Sequence, residues 1–352
     1  MRLKEFIFKV ILAILIALLP LSMINYIVDP YQFYRKPKFY KPLYFNDQRY
    51  QNPGLARSQD YSLAIIGTSM TDNFLPSYVN NALNSKTVKL SMMGASMYEE
   101  KLMVDVVSKA KKADTIILEL NYFSFRGGTT RVTQTGKGFP YYLYENGIMS
   151  HLKYLCNPET LLKSYQVLLK HYKGIVHYTM VEDLEKLNTW YYNSKFMKEN
   201  AMKDWNLAQN DLKRADPEEF KWEYLKKNAD KNLIGVIKNN PQVKFILFYP
   251  PFSILAHKFL DGRDLFNDEI KLKRYIYDNC IDFKNVKIFD FQDIGEITHN
   301  LENYRDMTHY SIEINEYIIN SIAKEKHIIN SDNINKKLGN LIKQVNDYVI
   351  EA

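Results

Sequence analysis

A serine hydroxyl attacks a carbonyl only when a base removes its proton and a carboxylate orients that base. Ser69 lies in Ile65-Ile66-Gly67-Thr68-Ser69-Met70-Thr71, an apolar run that ends in a Gly-hydroxyl-Ser turn. Much later come Asp306 and His309, within Arg305-Asp306-Met307-Thr308-His309-Tyr310. Their three-residue separation lets one turn hold the carboxylate beside the imidazole nitrogen that faces away from the serine. Acyl chemistry also needs donors for the developing oxyanion. The unhindered backbone N–H of Gly94 and the side-chain amide of Asn121 are the candidates. The spacing therefore predicts Ser69 as nucleophile, His309 as base and then acid, and Asp306 as its ionised partner.

These residues must be positioned at strand ends. Apolar runs predict strands over Ser62–Gly67, Thr87–Ser91, Thr115–Leu120, Val243–Tyr249 and Val286–Phe291. Helical spacing separates them, over Asn73–Leu83, Glu99–Lys112, Phe220–Lys238 and Glu269–Asn279, and a further helix follows over Ser311–Lys324. Strand–helix alternation of this kind predicts βαβ units in an open parallel sheet. Between about 125 and 215 the pattern breaks into Gly-punctuated loops and helical stretches near 158–173 and 196–212, read as an insertion whose aromatics could shape a groove. Residues 30–60 are expected to be a stalk that packs partly on the domain, 61–330 the domain with its insertion, and 331–352 a polar C-terminal helix.

Taken together, the residues resemble the SGNH/GDSL hydrolase-acyltransferase superfamily. Its members carry a nucleophilic Ser, an oxyanion Gly, an oxyanion Asn and Asp-x-x-His in successive blocks. Gly67-Thr68-Ser69, Gly94, Asn121 and Asp306-Met307-Thr308-His309 occur in that order. The resemblance implies a flavodoxin-like three-layer α/β/α sandwich with about five parallel strands, ester or acyl chemistry, and no cofactor or metal. Thr68 replaces the Asp common before the Ser, and Glu119-Leu120-Asn121-Tyr122 stands where the family has Gly-x-Asn-Asp. The layout is similar to the membrane-anchored envelope O-acylation proteins of alginate, peptidoglycan and teichoic acid. By that likeness the acceptor is an envelope polysaccharide or wall polymer, and the partner a membrane-bound O-acyltransferase.

The amino terminus supplies the location. Arg2, Lys4 and Lys9 precede an apolar run from Val10 to Met23 that continues less strictly to Val28, about 19 residues where ~20 span a bilayer. It reads as an uncleaved signal anchor over 1–29, with a cytoplasmic tip and the remainder extracytoplasmic; a cleaved signal peptide or a buried helix is the alternative. A formal charge of +7 suits an anionic partner, but the basic residues are scattered, which argues against nucleic acid. The 27 Tyr and 19 Phe suit either core filling or a sugar-facing groove. Cys156 and Cys280 have no metal or redox spacing and read as free thiols, although a pair remains open. His151, His171, His177, His299 and His327 show no ligand spacing, and His257 reads as a satisfied surface histidine or a cleft residue. Thr71 and Asp72 are expected to cap the next helix, and Arg305 to be a surface charge or an anion contact. Three functions stay open: an acyltransferase, a plain carbohydrate esterase or lipase, and a non-catalytic scaffold.

Overall fold

The computed structural model describes residues 2–133, 138–177, 179–211 and 214–350. It divides into two compact units, residues 60–137 with 188–352 and residues 1–59 with 138–187.

The larger unit is a three-layer α/β/α sandwich around a five-stranded parallel sheet. Its strands are β1 (Leu63–Ile66), β2 (Thr87–Lys89), β3 (Thr115–Glu119), β4 (Lys244–Tyr249) and β5 (Val286–Asp290). They lie in the order β2-β1-β3-β4-β5, the flavodoxin-like arrangement. In register, Ile66 of β1 sits beside Leu118 of β3, and Leu118 beside Leu247 of β4. All four β1 residues are buried, as expected for a parallel strand covered on both faces. The strand order reverses between β1 and β3, and such a switch point opens a crevice at the carboxyl ends of the strands. Helix Met97–Ala110 starts with a capping box, in which Ser96 Oγ accepts the Glu99 N–H and Glu99 accepts the Ser96 N–H. Helix Pro76–Leu83 packs on helix Ile312–Ala323.

Several elements depart from the expected ones. The helix expected over Phe220–Lys238 is interrupted, with a π turn at Ala229–Ile234 between Trp222–Asn228 and Gly235–Asn239. The C-terminal helix, Ile334–Asp347, is not merely polar: it buries Leu338, Leu341 and Val345. His257 is neither at the surface nor in a cleft. It is fully buried, with Nδ1 2.9 Å from Glu269 Oε2. Thr71 caps no helix; its hydroxyl donates to Thr68 O at 2.9 Å and lies 2.6 Å from Ser91 Oγ.

The smaller unit joins two regions expected to be separate. Its helix Arg2–Val28 leaves apolar side chains such as Phe6, Ile11 and Ile16 exposed along its length and is long and apolar enough to cross a membrane. The carboxyl end of that helix is part of the folded unit. Asn25 is buried, with Nδ2 donating to Leu155 O at 2.9 Å and Oδ1 accepting from Ser164 Oγ at 3.0 Å. Asp29, just beyond, accepts from Phe33 N, Tyr34 N and Tyr154 Oη at 2.8, 2.9 and 2.7 Å. Within residues 30–59, Tyr31, Phe33 and Tyr40 are buried, and Gln48–Ser58 is a largely buried helix. The aromatic surplus fills cores, since Tyr31, Tyr154, Tyr304 and Tyr310 are among the largest fully buried side chains. Cys156 and Cys280 are free thiols.

One buried ion pair closes the β5 edge. Lys273 Nζ lies 2.7 Å from Asp290 Oδ2 and donates to Gln292 Oε1 at 2.7 Å, with both charges almost wholly buried. Burial would raise the Asp290 carboxyl, but Lys273 and then Lys337 hold it below its ordinary value. Removing one partner strands the other charge. Lys273→Met is expected to cost about 3–5 kcal/mol in urea unfolding, and Lys273→Met with Asp290→Leu to recover most of that loss.

Candidate active site

Gly67, where β1 ends, is held to glycine by crowding. A Cβ there would fall 2.7 Å from both Glu119 Cβ and Glu119 Oε2. Behind it, Glu119 at the end of β3 is completely buried. Its carboxylate accepts from Thr68 N at 2.6 Å, from Thr68 Oγ1 at 2.9 and 3.0 Å, and from Asn121 Nδ2 at 3.0 Å. The ends of β1 and β3 meet on that one group. The turn it fixes, Ser69–Thr71, is a single 3-10 turn. Tyr310 Oη and Asn315 Nδ2 brace it by donating to Met70 O at 3.4 and 3.3 Å.

Ser69 Oγ lies 2.7 Å from His309 Nε2. His309 Nδ1 lies 2.9 and 2.8 Å from the two Asp306 oxygens. An ionised carboxylate only accepts, so Nδ1 carries the proton and Nε2 presents its lone pair to the serine hydroxyl. Burial would raise the Asp306 pKa. The hydrogen bond and charge of His309, with the His309 and Thr308 N–H groups, outweigh burial and hold it well below the usual carboxylate range. The loop is pinned from outside, where Met307 N donates to Asp204 Oδ2 at 3.1 Å and Ser253 Oγ to Met307 O at 2.6 Å.

Both predicted oxyanion residues line the cleft beside Ser69, a space of about 240 Å³. Gly94 has φ +62°, a left-handed conformation that favours glycine. Among the described residues, the Ser69 and Gly94 backbone N–H groups have no hydrogen-bond partner. Asn121 differs: its Nδ2 goes to Glu119 and, at 3.3 Å, to Thr68 Oγ1, while its Oδ1 accepts from Phe123 N at 3.0 Å. The amide expected to face an oxyanion is spent on the Glu119 cluster. Backbone N–H groups are the donors left beside Ser69.

Residues not foreseen complete the surroundings. Trp190 Nε1 donates to Ser69 O at 3.2 Å, and its ring meets that of His309 edge-on at 5.2 Å. Arg305 is no free surface charge: its guanidinium lies 4.0 Å above the Trp190 ring and its Nε 3.3 Å from Asp306 Oδ2. Arg126, Arg131 and Arg214 also line the cleft. The only advance signal for Trp190 was the aromatic character of the expected insertion. Asp204, Arg126, Arg131 and Arg214 carried none, because their roles depend on distant loops. Among the described residues, no group of three or more His, Cys, Asp or Glu could hold a metal ion.

No protein-family model matches the chain, and no curated protein matches it. Among solved structures it is similar to an acetyl xylan esterase, Est2A, from the rumen bacterium Butyrivibrio proteoclasticus, at 12% identity and a TM-score of 0.33. The match covers 79% of this chain and 64% of that one, so the chain spans less than two thirds of the esterase's length.

Burial, opposed by the Thr68 and Asn121 hydrogen bonds, pushes the Glu119 carboxyl from 4.5 up to about 7. The folded protein therefore keeps a proton there that the unfolded chain releases. That contribution to stability is complete below pH 4.5 and is lost as the pH rises through 7, by about 3 kcal/mol at most. Thermal unfolding across that range is expected to show the wild-type Tm falling relative to that of Glu119→Gln, which cannot titrate.

Proposed function

We propose that this chain is a serine esterase or acyltransferase of the SGNH type, working through an acyl-Ser69 intermediate. The observation that carries this reading is the continuous chain Ser69 Oγ–His309 Nε2 and His309 Nδ1–Asp306, set at the carboxyl end of a parallel sheet. In the first step Ser69 Oγ bonds to the ester carbonyl carbon as its proton passes to His309 Nε2. The tetrahedral oxyanion takes the Ser69 and Gly94 N–H groups. It collapses as the ester C–O bond breaks, and the leaving alcohol takes the proton from His309. In the second step an acceptor hydroxyl, or water, attacks the acyl carbon and gives its proton to His309, and as the acyl C–Oγ bond breaks His309 returns that proton to Ser69 Oγ. Asp306 stays ionised throughout and stabilises the imidazolium.

The acceptor in this reading is an envelope glycan or polymer, and helix Arg2–Val28 is a retained anchor with the amino terminus cytoplasmic. Retention is supported by Asn25 and Asp29, whose hydrogen bonds make the end of the helix part of the smaller unit's interior. An acyl donor delivered by a membrane-bound O-acyltransferase fits the same scheme. Hydrolysis differs only in the second nucleophile, so a carbohydrate esterase is the second reading.

Ser69→Ala is expected to lower p-nitrophenyl acetate turnover by about 10³-fold or more and to abolish labelling by a fluorophosphonate probe, with the protein still accumulating in membranes. Undiminished turnover in that variant would overturn the reading. A loss of polymer-bound acyl groups in cells carrying Ser69→Ala would select transfer onto polymer over hydrolysis.

A further inference from the structure

Three arginines line the Ser69 cleft, and their charges are unequally balanced. Arg214 gives both arms of its fork to Asp204, at 2.7 Å each. Arg126 has Glu219 Oε2 at 3.3 Å from its Nε, yet that buried Nε makes no hydrogen bond. Arg131 has no carboxylate within ion-pair distance among the described residues. Its Nε donates to Arg126 O at 2.9 Å and its Nη2 to Phe123 O at 3.3 Å, which uses two of five N–H donors. Burial, and then the charge of Arg126, lower the Arg131 pKa, and the more distant charges of Glu219 and Glu99 offset this only in part. A positive group has been placed here against its own electrostatic preference.

The segment that carries these arginines is built into the fold. Asn228 Nδ2, at the edge of the π turn, donates to Phe125 O at 2.8 Å and to Gly127 O at 2.9 Å. Asn232 Nδ2, inside that turn, donates to Thr129 O at 3.0 Å. Gly127 N donates to Glu219 O at 2.7 Å, and Ser96 Oγ donates to Arg131 O. Gly127 has φ +71°, and a Cβ there would lie 3.0 Å from Arg131 Cδ. A π turn inserted into a helix commonly marks a functional site, and here its asparagines hold the loop that presents the guanidinium groups.

We propose that Arg126 and Arg131 form an oxyanion subsite beside Ser69, so that the ester substrate carries a carboxylate or a phosphate held by their forks. The proposal rests on the reading of Ser69 as nucleophile for its place in a reaction, while the subsite itself rests on the guanidinium groups. Planar forks match both oxyanions in a bidentate way. An anion supplies Arg131 with a counter-charge at ion-pair distance, where Glu219 and Glu99 act only from further away, and a neutral ester of the same shape does not.

The test uses the full chain in detergent micelles, with benzoate, phenyl phosphate and neutral benzamide as inhibitors of p-nitrophenyl acetate hydrolysis. Benzoate or phenyl phosphate is expected to raise KM without lowering kcat, at concentrations about tenfold or more below benzamide. Arg131→Gln is expected to raise the inhibition constant of the anion about tenfold or more, and Arg131→Lys to restore part of the loss. The tighter anion tells a carboxylate-bearing substrate from a phosphate-bearing one. Equal inhibition by benzamide, or an inhibition constant unmoved in Arg131→Gln, overturns the subsite and leaves the Ser69 reading standing. If wild-type protein hydrolyses no ester, the Ser69 reading fails, and calorimetric titration with the same three compounds decides the subsite: anion binding lost in Arg131→Gln supports it, and absent or unchanged binding overturns it. Arg126→Gln gives the same readouts should Arg131→Gln fail to fold.

Discussion

The buried carboxylate of Glu119 is the group on which the position of Ser69 depends. A buried carboxylate is tolerated only when its lone pairs are used, and here they receive the backbone and hydroxyl of Thr68 and the amide of Asn121. The ends of two adjacent strands, β1 and β3, are thereby tied together one residue before Ser69. The same crowding excludes a side chain at residue 67. The cost is a proton equilibrium near neutrality within the architecture of the site.

That arrangement bears on the departures from the family pattern. Where the pattern the sequence resembles has an Asp before the Ser and a Gly at the start of the third block, this chain has Thr68 and Glu119, and these two side chains hydrogen-bond to each other. Asn121 is drawn into the same cluster, which leaves the Ser69 and Gly94 N–H groups facing the cleft.

A second constraint is the short loop from Arg305 to His309. Asp306 accepts from four groups of its own turn, the Thr308 and His309 N–H groups, the Thr308 hydroxyl and the His309 ring, so aspartate and histidine are positioned as one piece. Asp204, Ser253 and Trp190 fix where that piece sits. Asp204 also neutralises Arg214, which leaves Arg131 as the cleft guanidinium without a carboxylate partner.

Much of the larger unit was legible in the sequence because parallel strands buried on both faces read as unbroken apolar runs. Val243–Tyr249 was expected and Lys244–Tyr249 is found; Thr115–Leu120 was expected and Thr115–Glu119 is found. The C-terminal helix was misjudged although Ile334, Leu338, Leu341 and Val345 already carried helical spacing, hidden among Lys and Asn. Gln48–Ser58 was missed because Pro53 and Gly54 oppose a helix locally; tertiary burial overrides them. The grouping of 1–59 with 138–187 had no local signal, since it rests on hydrogen bonds such as Asn25 to Leu155 across distant chain segments.

By itself, the sequence determined the sheet, the apolar amino-terminal helix and the placing of Asp306 and His309 on one turn, because each follows from local periodicity or from short spacing. Only the tertiary structure decided that Asn121 turns toward Glu119, that Trp190 lies against His309, and that Arg126 and Arg131 reach the same cleft. Those outcomes depend on which distant groups compete for a hydrogen bond or leave a charge unpaired. That competition exists only once the segments have been brought together.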